Sequence, residues 1–264
     1  MLKASLWIVT YNNREDLHNN LRTLFAGLDS TLVNLNVNII NNHTNFDLDL
    51  EYLGRVKVWH NSLRSNLSLG HLSRNWNQAL INGFGSLTNP QHDVVITSQD
   101  DVLWDPQWCQ KMIEQLSSYN FVTQGVGDAV IVQTAEATKR IGLWDERFCP
   151  SFYHDGDYFL RALIHNRHSS SINDPAHGRI LNPCATSFAT VPAPNHPRVE
   201  AKHLSYGRAA LPHAVWTSKW PVSPIHWTPQ LIEDPPSRSL CWNYITYPHF
   251  EFDVLDLANK NYIM

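Results

Sequence analysis

Ser5-Leu6-Trp7-Ile8-Val9-Thr10, broken at Tyr11-Asn12-Asn13 and followed from Arg14 by Leu17, Leu21, Leu24, Phe25 and Leu28, is the stretch on which the fold turns. The first six residues are mostly apolar and partly β-branched, the pattern of a buried strand, and the asparagines stop it. The leucines that follow recur on one face of a helix running from Arg14 to Leu28. The same alternation continues. Leu35 to Ile40 reads as a strand ended by Asn41-Asn42, and Val56 to Trp59 as a short third strand. Leu72 to Leu80 reads as a helix with Leu72, Trp76, Ala79 and Leu80 in phase. Val94 to Thr97 is another buried strand, ending at Gln99-Asp100-Asp101. Pro106 marks a possible helix start, with Trp108, Met112 and Leu116 at helical spacing. Further on, Ala129 to Val132 reads as a strand, and Ala135 to Ile141 and Asp155 to Ile164 as helices. Alternating strands and helices predict βαβ units and an α/β fold with a mostly parallel sheet flanked by helices. Ligands of such sheets bind beyond the carboxyl ends of the strands, where Thr10-Tyr11-Asn12, Asn41-Asn42 and Gln99-Asp100-Asp101 all fall.

Composition narrows the function classes. The 264 residues suit one α/β domain with an appendage, or two small domains. Hydrophobic residues at 43% allow a sizeable core, and only 17% charged residues argue against disorder. The net charge of −4 leaves no broad basic footprint, so duplex nucleic acid is not an expected partner. Ten tryptophans suit stacking surfaces, although core and interface packing accounts for most such residues. Cys109, Cys149, Cys184 and Cys241 form no CxxC pair, which disfavours a zinc site and makes reduced thiols in a cytoplasmic setting the expectation. No apolar run approaches the ~20 residues of a membrane span, and the apolar N-terminal stretch is too short for a signal peptide. From about residue 182 prolines become dense, with Trp216, Trp220, Trp227 and Trp242 among them. Residues 1–181 are therefore expected to form the core. Residues 182–264 are expected to form a loop-rich extension packed on it, without long regular helices. Peripheral membrane attachment through the Trp-rich tail is a further option.

Two places carry recognisable chemistry. Adjacent carboxylates at Asp100-Asp101 repel each other at a strand end and suit a hard cation such as Mg2+ or Mn2+ shared with a diphosphate; the alternative is a solvated turn. His154-Asp155-Gly156-Asp157 offers two carboxylates just before a predicted helix. There an anion is stabilised and suits a general base, or simply caps the helix.

Four segments, in order, resemble family 2 glycosyltransferases, which share the GT-A fold. Leu6 through Arg14 is similar to that family's first strand and nucleotide loop. Gly70 through Leu80 resembles its Gly-loop and the following helix. Ser98-Gln99-Asp100-Asp101-Val102 resembles its DXD segment. Gly142 through Ala162 resembles its G-x-x-D-E-x-F … E-D-x-D-x-x-x-R region. The resemblance covers roughly residues 4–165. It implies that Thr10, Tyr11 and Asn12 line the base and ribose pocket, with Gly70 and His71 nearby and Asn41 reading the base. Asn41 stands where the family has Asp, which leaves base preference open. Asp101 is implied as a metal ligand and Asp100 as a neighbour of the ribose or diphosphate. Gln99 replaces the first Asp of DXD, and His154 replaces a Glu. Asp155 matches the catalytic base, while Asp157 and Arg161 match positions that support the loop and helix. His203-Leu204-Ser205 resembles a late His-x-Ser segment whose His completes the metal site, with His177 and His196 as rivals. Trp144, Asp157 and Trp216 are placed on the acceptor side, though packing competes for the tryptophans.

The implied activity is inverting transfer of a sugar from a nucleotide-diphosphate sugar to a hydroxyl of a glycan acceptor. It would depend on Mn2+ or Mg2+, with Asp155 as general base. A nucleotidyl-transferring enzyme is disfavoured, because Thr10 to Arg14 has no glycine and one basic residue with which to hold a triphosphate. A non-catalytic sugar- or nucleotide-binding module is the other class, and Gln99, Asn41 and His154 are the substitutions that would suit it.

Overall fold

A computed structural model describes residues 1–44, 46–61, 72–125, 127–148, 153–166, 169–170, 187–191, 210–220 and 250. Gly70, His71, His203 and its rivals His177 and His196 lie outside the described residues, as do Trp227, Trp242 and most of the Pro-rich stretch.

The elements run β1 (Leu2–Thr10), α1 (Arg14–Ala26), β2 (Val33–Asn41), β3 (Val56–His60), α2 (Leu72–Phe84), β4 (Val94–Gln99), β5 (Leu103–Trp104), α3 (Trp108–Leu116), β6 (Phe121–Gln124), β7 (Val130–Thr134), α4 (Ala135–Ile141), α5 (His154–His165), β8 (Ser169–Ser170), β9 (Ala189–Thr190) and α6 (Ala210–Lys219). Seven strands form one sheet in the order β3-β2-β1-β4-β7-β6-β8. The first four are mutually parallel, and β7 runs against both β4 and β6. The expected mostly parallel α/β sheet is thus present, with one antiparallel strand inserted. β5 and β9 make a separate two-stranded ribbon.

Both faces of the sheet are covered, which is why the central strands read as nearly unbroken apolar runs. On β1, Ala4, Leu6 and Ile8 join α1 and α3 in one core, while Trp7 and Val9 join α2, α4 and α5 in the other. Gly83 lets α2 lie close to the sheet: a Cβ there would come within 2.6 Å of Val95 and 3.1 Å of Trp7. This close seat extends α2 past the expected end at Leu80.

Three expectations are corrected. The strand Phe121–Gln124 is absent from the sequence reading, because the apolar pair Phe121-Val122 is followed at once by the polar Thr123 and Gln124. The helix near Pro106 begins at Trp108 instead, after a turn in which Gln107 N–H donates to Asp105 Oδ1. A regular helix, α6, stands in the Pro-rich region. Its Pro212 sits in the first turn, where no intrahelical donor is needed.

The α6 helix is fixed to α5 by a small apolar cluster of Phe148, Leu160, Ile164, Trp216 and Trp220. Beneath it, Lys219 reaches Asp157 Oδ1 at 2.7 Å and Asp145 Oδ2 at 3.2 Å. Asp157 also holds Arg161 and accepts from Trp220 Nε1. Burial raises the Asp145 carboxyl, but Lys219 and then Arg147 more than offset it and hold it well below the usual carboxylate range.

Candidate active site

Strand register builds the site. Thr10 pairs with Asn41, and Val9 with Gln99, so the ends of β1, β2 and β4 form one edge. The three polar clusters of the sequence meet there. Thr10 Oγ1 donates to Asp100 Oδ2 at 2.7 Å, and Asn42 N–H donates to Thr10 O at 3.1 Å. Asn13 Nδ2 adds a 3.4 Å contact to Asp100 Oδ1. Next to this edge an open cavity of about 440 Å³ is lined by Thr10, Asn12, Asn13, Arg14, Thr44 and Phe46. Tyr11, half-buried, meets the His43 ring edge-on at 5.0 Å.

Backbone strain marks the same region. Among the described residues the non-glycine positions at positive φ are Asn12, at 52°, and Tyr153, at 61°. One is in the loop after β1 and the other immediately precedes His154-Asp155. Left-handed backbone at such residues costs of order 1–3 kcal/mol and persists where the surroundings enforce it.

The electrostatics of the strand end centre on Asp100. Burial, with the neighbouring Asp101 charge adding to it, pushes the Asp100 carboxyl up to about 7 against the hydrogen bonds from Thr10 and Asn13. A carboxylate near about 3.9 in the unfolded chain and raised in the folded one makes stability fall as pH rises through that window, after which it levels. Asp100→Asn removes the penalty. Thermal denaturation in metal-free buffer should therefore place the variant above the wild type at pH 8, with the difference closing toward pH 4. A difference independent of pH would contradict the assignment.

Asp155 lies half-buried in the first turn of α5, and its Oδ1 accepts from Gly156 N–H at 2.8 Å. Gly127 stands beside it: its φ is +60°, and a Cβ there would lie 3.2 Å from Asp155 Oδ2. The next residue, Asp128, escaped the sequence reading altogether. It accepts from Gln99 Nε2 at 2.7 Å and Trp76 Nε1 at 2.6 Å, and lies 3.0 Å from His154 Nε2. Asp128 therefore bridges the end of β4 to the start of α5.

Four other expected site residues are buried. Asn41 is fully buried; its Nδ2 donates to His43 O at 2.7 Å and meets His60 Nδ1 at 3.2 Å, while its Oδ1 accepts from His43 N–H. It holds its own loop through these bonds. Trp144, Asp157 and Trp216 are buried as well. Trp144 stacks on Tyr158 with ring centroids 4.0 Å apart, Asp157 belongs to the Lys219 cluster, and Trp216 packs between α5 and α6. Gln99 spends its amide on Asp128.

The described residues contain no group of three or more His, Cys, Asp or Glu side chains arranged to hold a metal ion. Asp100 and Asp101 supply two carboxylates, one of them destabilised as an anion. That donor set fits a hard cation completing its shell with ligand oxygens.

No protein-family model and no curated protein sequence matches the chain. Solved structures do. The mannosyltransferase PcManGT from Pyrobaculum calidifontis, in complex with GDP-Man and Mn2+, aligns with a TM-score of 0.52 at 9% identity, over 90% of this chain and 71% of that one. TarS residues 1–349 from S. aureus align at 0.50 and 13% identity, over 79% and 74%. Another S. aureus TarS structure aligns at 0.47 and 12% identity; the match takes in 72% of this chain but spans only 36% of that one. The likeness shows the fold, which is GT-A. Among the described residues no helix is long and apolar enough to cross a membrane.

Proposed function

We propose that the chain is an inverting glycosyltransferase that moves a sugar from a nucleotide-diphosphate sugar to a hydroxyl of a glycan acceptor. One observation carries the reading: on a GT-A sheet, the Thr10–Asp100–Asp101 edge is joined through Asp128 to a half-buried carboxylate, Asp155, at a helix start. PcManGT is a mannosyltransferase bound to GDP-Man and Mn2+, which supports a nucleotide-sugar donor and a divalent cation here too.

Tyr11 and Asn12 line the loop beside the open cavity and would take the nucleoside, while Thr10 holds the Asp100 carboxylate at its edge. Asp101, next to Asp100, would hold Mn2+ or Mg2+, which supplies positive charge against the leaving diphosphate. His203 is assigned as a further ligand by resemblance alone. Asp155 accepts the proton of the acceptor hydroxyl as its oxygen bonds to the anomeric carbon. The bond from that carbon to the diphosphate oxygen breaks on the opposite face, and the nucleoside diphosphate departs with the electron pair. One displacement inverts the centre. The helix start stabilises Asp155 as the anion this role requires.

The test is release of nucleoside diphosphate from a panel of nucleotide sugars with Mn2+, Mg2+ or chelator. Metal-dependent release is expected, and its absence for every donor would remove the reading. In the same panel, Asp101→Ala should abolish metal-dependent donor binding by calorimetric titration. A titration curve matching the wild type would take the metal from Asp101.

A further inference from the structure

Asp128 belongs to none of the motifs, yet side chains from three elements converge on its 5%-exposed carboxylate: Trp76 from α2, Gln99 from β4 and His154 from α5. Trp76 Nε1 and Gln99 Nε2 only donate. A carboxylate offers only acceptors, so the third contact requires His154 to carry its proton on Nε2. The Trp144 ring, with its centroid 5.8 Å away, packs beside the same imidazole. His154 adjoins Asp155 in the chain, and Gln99 adjoins Asp100. Gly127 stands beside the Asp155 carboxylate, since a Cβ there would lie 3.2 Å from Asp155 Oδ2.

Gln99 and His154 are two of the three places, Asn41 being the other, where the family pattern has carboxylates and this chain has N–H donors. Both donors point at Asp128. A carboxylate at either position would put a second negative charge near Asp128 in place of a donor. The two departures thus form one arrangement around a single buried acid.

We propose that Asp128 is a positioning residue: through His154 and Gln99 it sets Asp155 relative to the Asp100–Asp101 strand end. This rests on the glycosyl-transfer reading of Asp155. The test uses the full chain. Long-range 15N–1H correlation reads the His154 ring, and nucleoside diphosphate release with Mn2+, from whichever donor of the nucleotide-sugar panel is turned over, gives kcat and KM. The expected ring is the Nε2–H form, and its signature is lost in Asp128→Asn. That variant should lose about ten- to hundred-fold in kcat with donor KM within about twofold, because a group acting through another orients more than it binds. His154→Gln keeps an N–H for Asp128 and should hold kcat within about fivefold of wild type, whereas His154→Leu should fall with Asp128→Asn. An Nδ1–H ring in the wild type, an unchanged kcat in Asp128→Asn, or equal losses in His154→Gln and His154→Leu would overturn the proposal. If the wild type releases no nucleoside diphosphate, the transferase reading fails, and with it the positioning role; the ring tautomer then still decides whether the Asp128–His154 bond exists.

Discussion

Asp155→Asn is expected to fold as the wild type does and to lose about 10²- to 10⁴-fold in sugar transfer, the usual contribution of a general base. The substitution is nearly isosteric. The asparagine Oδ1 can still accept from Gly156 N–H, which the carboxylate does at 2.8 Å. What disappears is the ability to take a proton from the acceptor hydroxyl, together with a negative charge at the start of α5. That charge is worth about 0.3–1 kcal/mol at a helix N-terminus, so the melting temperature should fall only slightly. Donor binding should persist, because the nucleotide edge belongs to β1 and β4. Product release measured with a competent acceptor checks the prediction, and transfer near the wild-type rate would take the base role from Asp155.

Lys219→Met is expected to destabilise the fold by about 3–5 kcal/mol, the range for breaking a buried ion pair from one side. The Lys219 side chain is 1% exposed and lies between two acids, Asp157 and Asp145. Methionine matches its length and apolar stem but leaves both carboxylates short of a cation. Arg161 remains on Asp157 and Arg147 on Asp145, so the compensation is partial. The pH dependence has a definite sign. Asp145 is held below its ordinary range in the folded chain, so its contribution is complete above about pH 4 and declines as pH falls below that. The gap between wild type and variant should therefore be widest near neutrality and narrow in acid. Denaturant titrations at pH 7 and at about pH 2 measure it. Equal midpoints at pH 7 would contradict the buried ion cluster, and with it the way α6 is tied to α5.

How much of this was legible in the sequence follows from the range of the interactions. The strand–loop–helix entry at Ser5 to Leu28 and the polar strand ends are local signals, set by apolar runs and the asparagines and acids that stop them. The register that brings Thr10, Asn41 and Gln99 to one edge follows from the parallel order of β2, β1 and β4, so their convergence was readable as well. Asp128, and the burial of Lys219 between two acids, were not. Each draws its importance from partners dozens of residues away, and neither stands in a periodic pattern. The signal available for Asp128 was the glycine before it, Gly127, which has a positive φ and stands beside Asp155. Asn41, Trp144 and Trp216 show the opposite limit. Resemblance implies a ligand-facing role for each, while the bonds of Asn41 to its own loop and the burial of the two rings are packing facts that no local pattern carries. The proline count misjudged α6 for a related reason: Pro212 occupies a first turn, which costs a helix nothing in hydrogen bonds.

The most direct test of the central claim is a thermal-shift series with nucleoside diphosphates and nucleotide sugars of each base, with and without Mn2+. A ligand at 100 times its dissociation constant stabilises the folded state by about 2.7 kcal/mol, well within reach of the method. The account predicts a shift that depends on Mn2+, favours one base, and is lost in Asp101→Ala. No shift with any nucleotide would contradict it. The spent amides of Asn41 and Gln99 would then belong to a GT-A fold that no longer binds a donor.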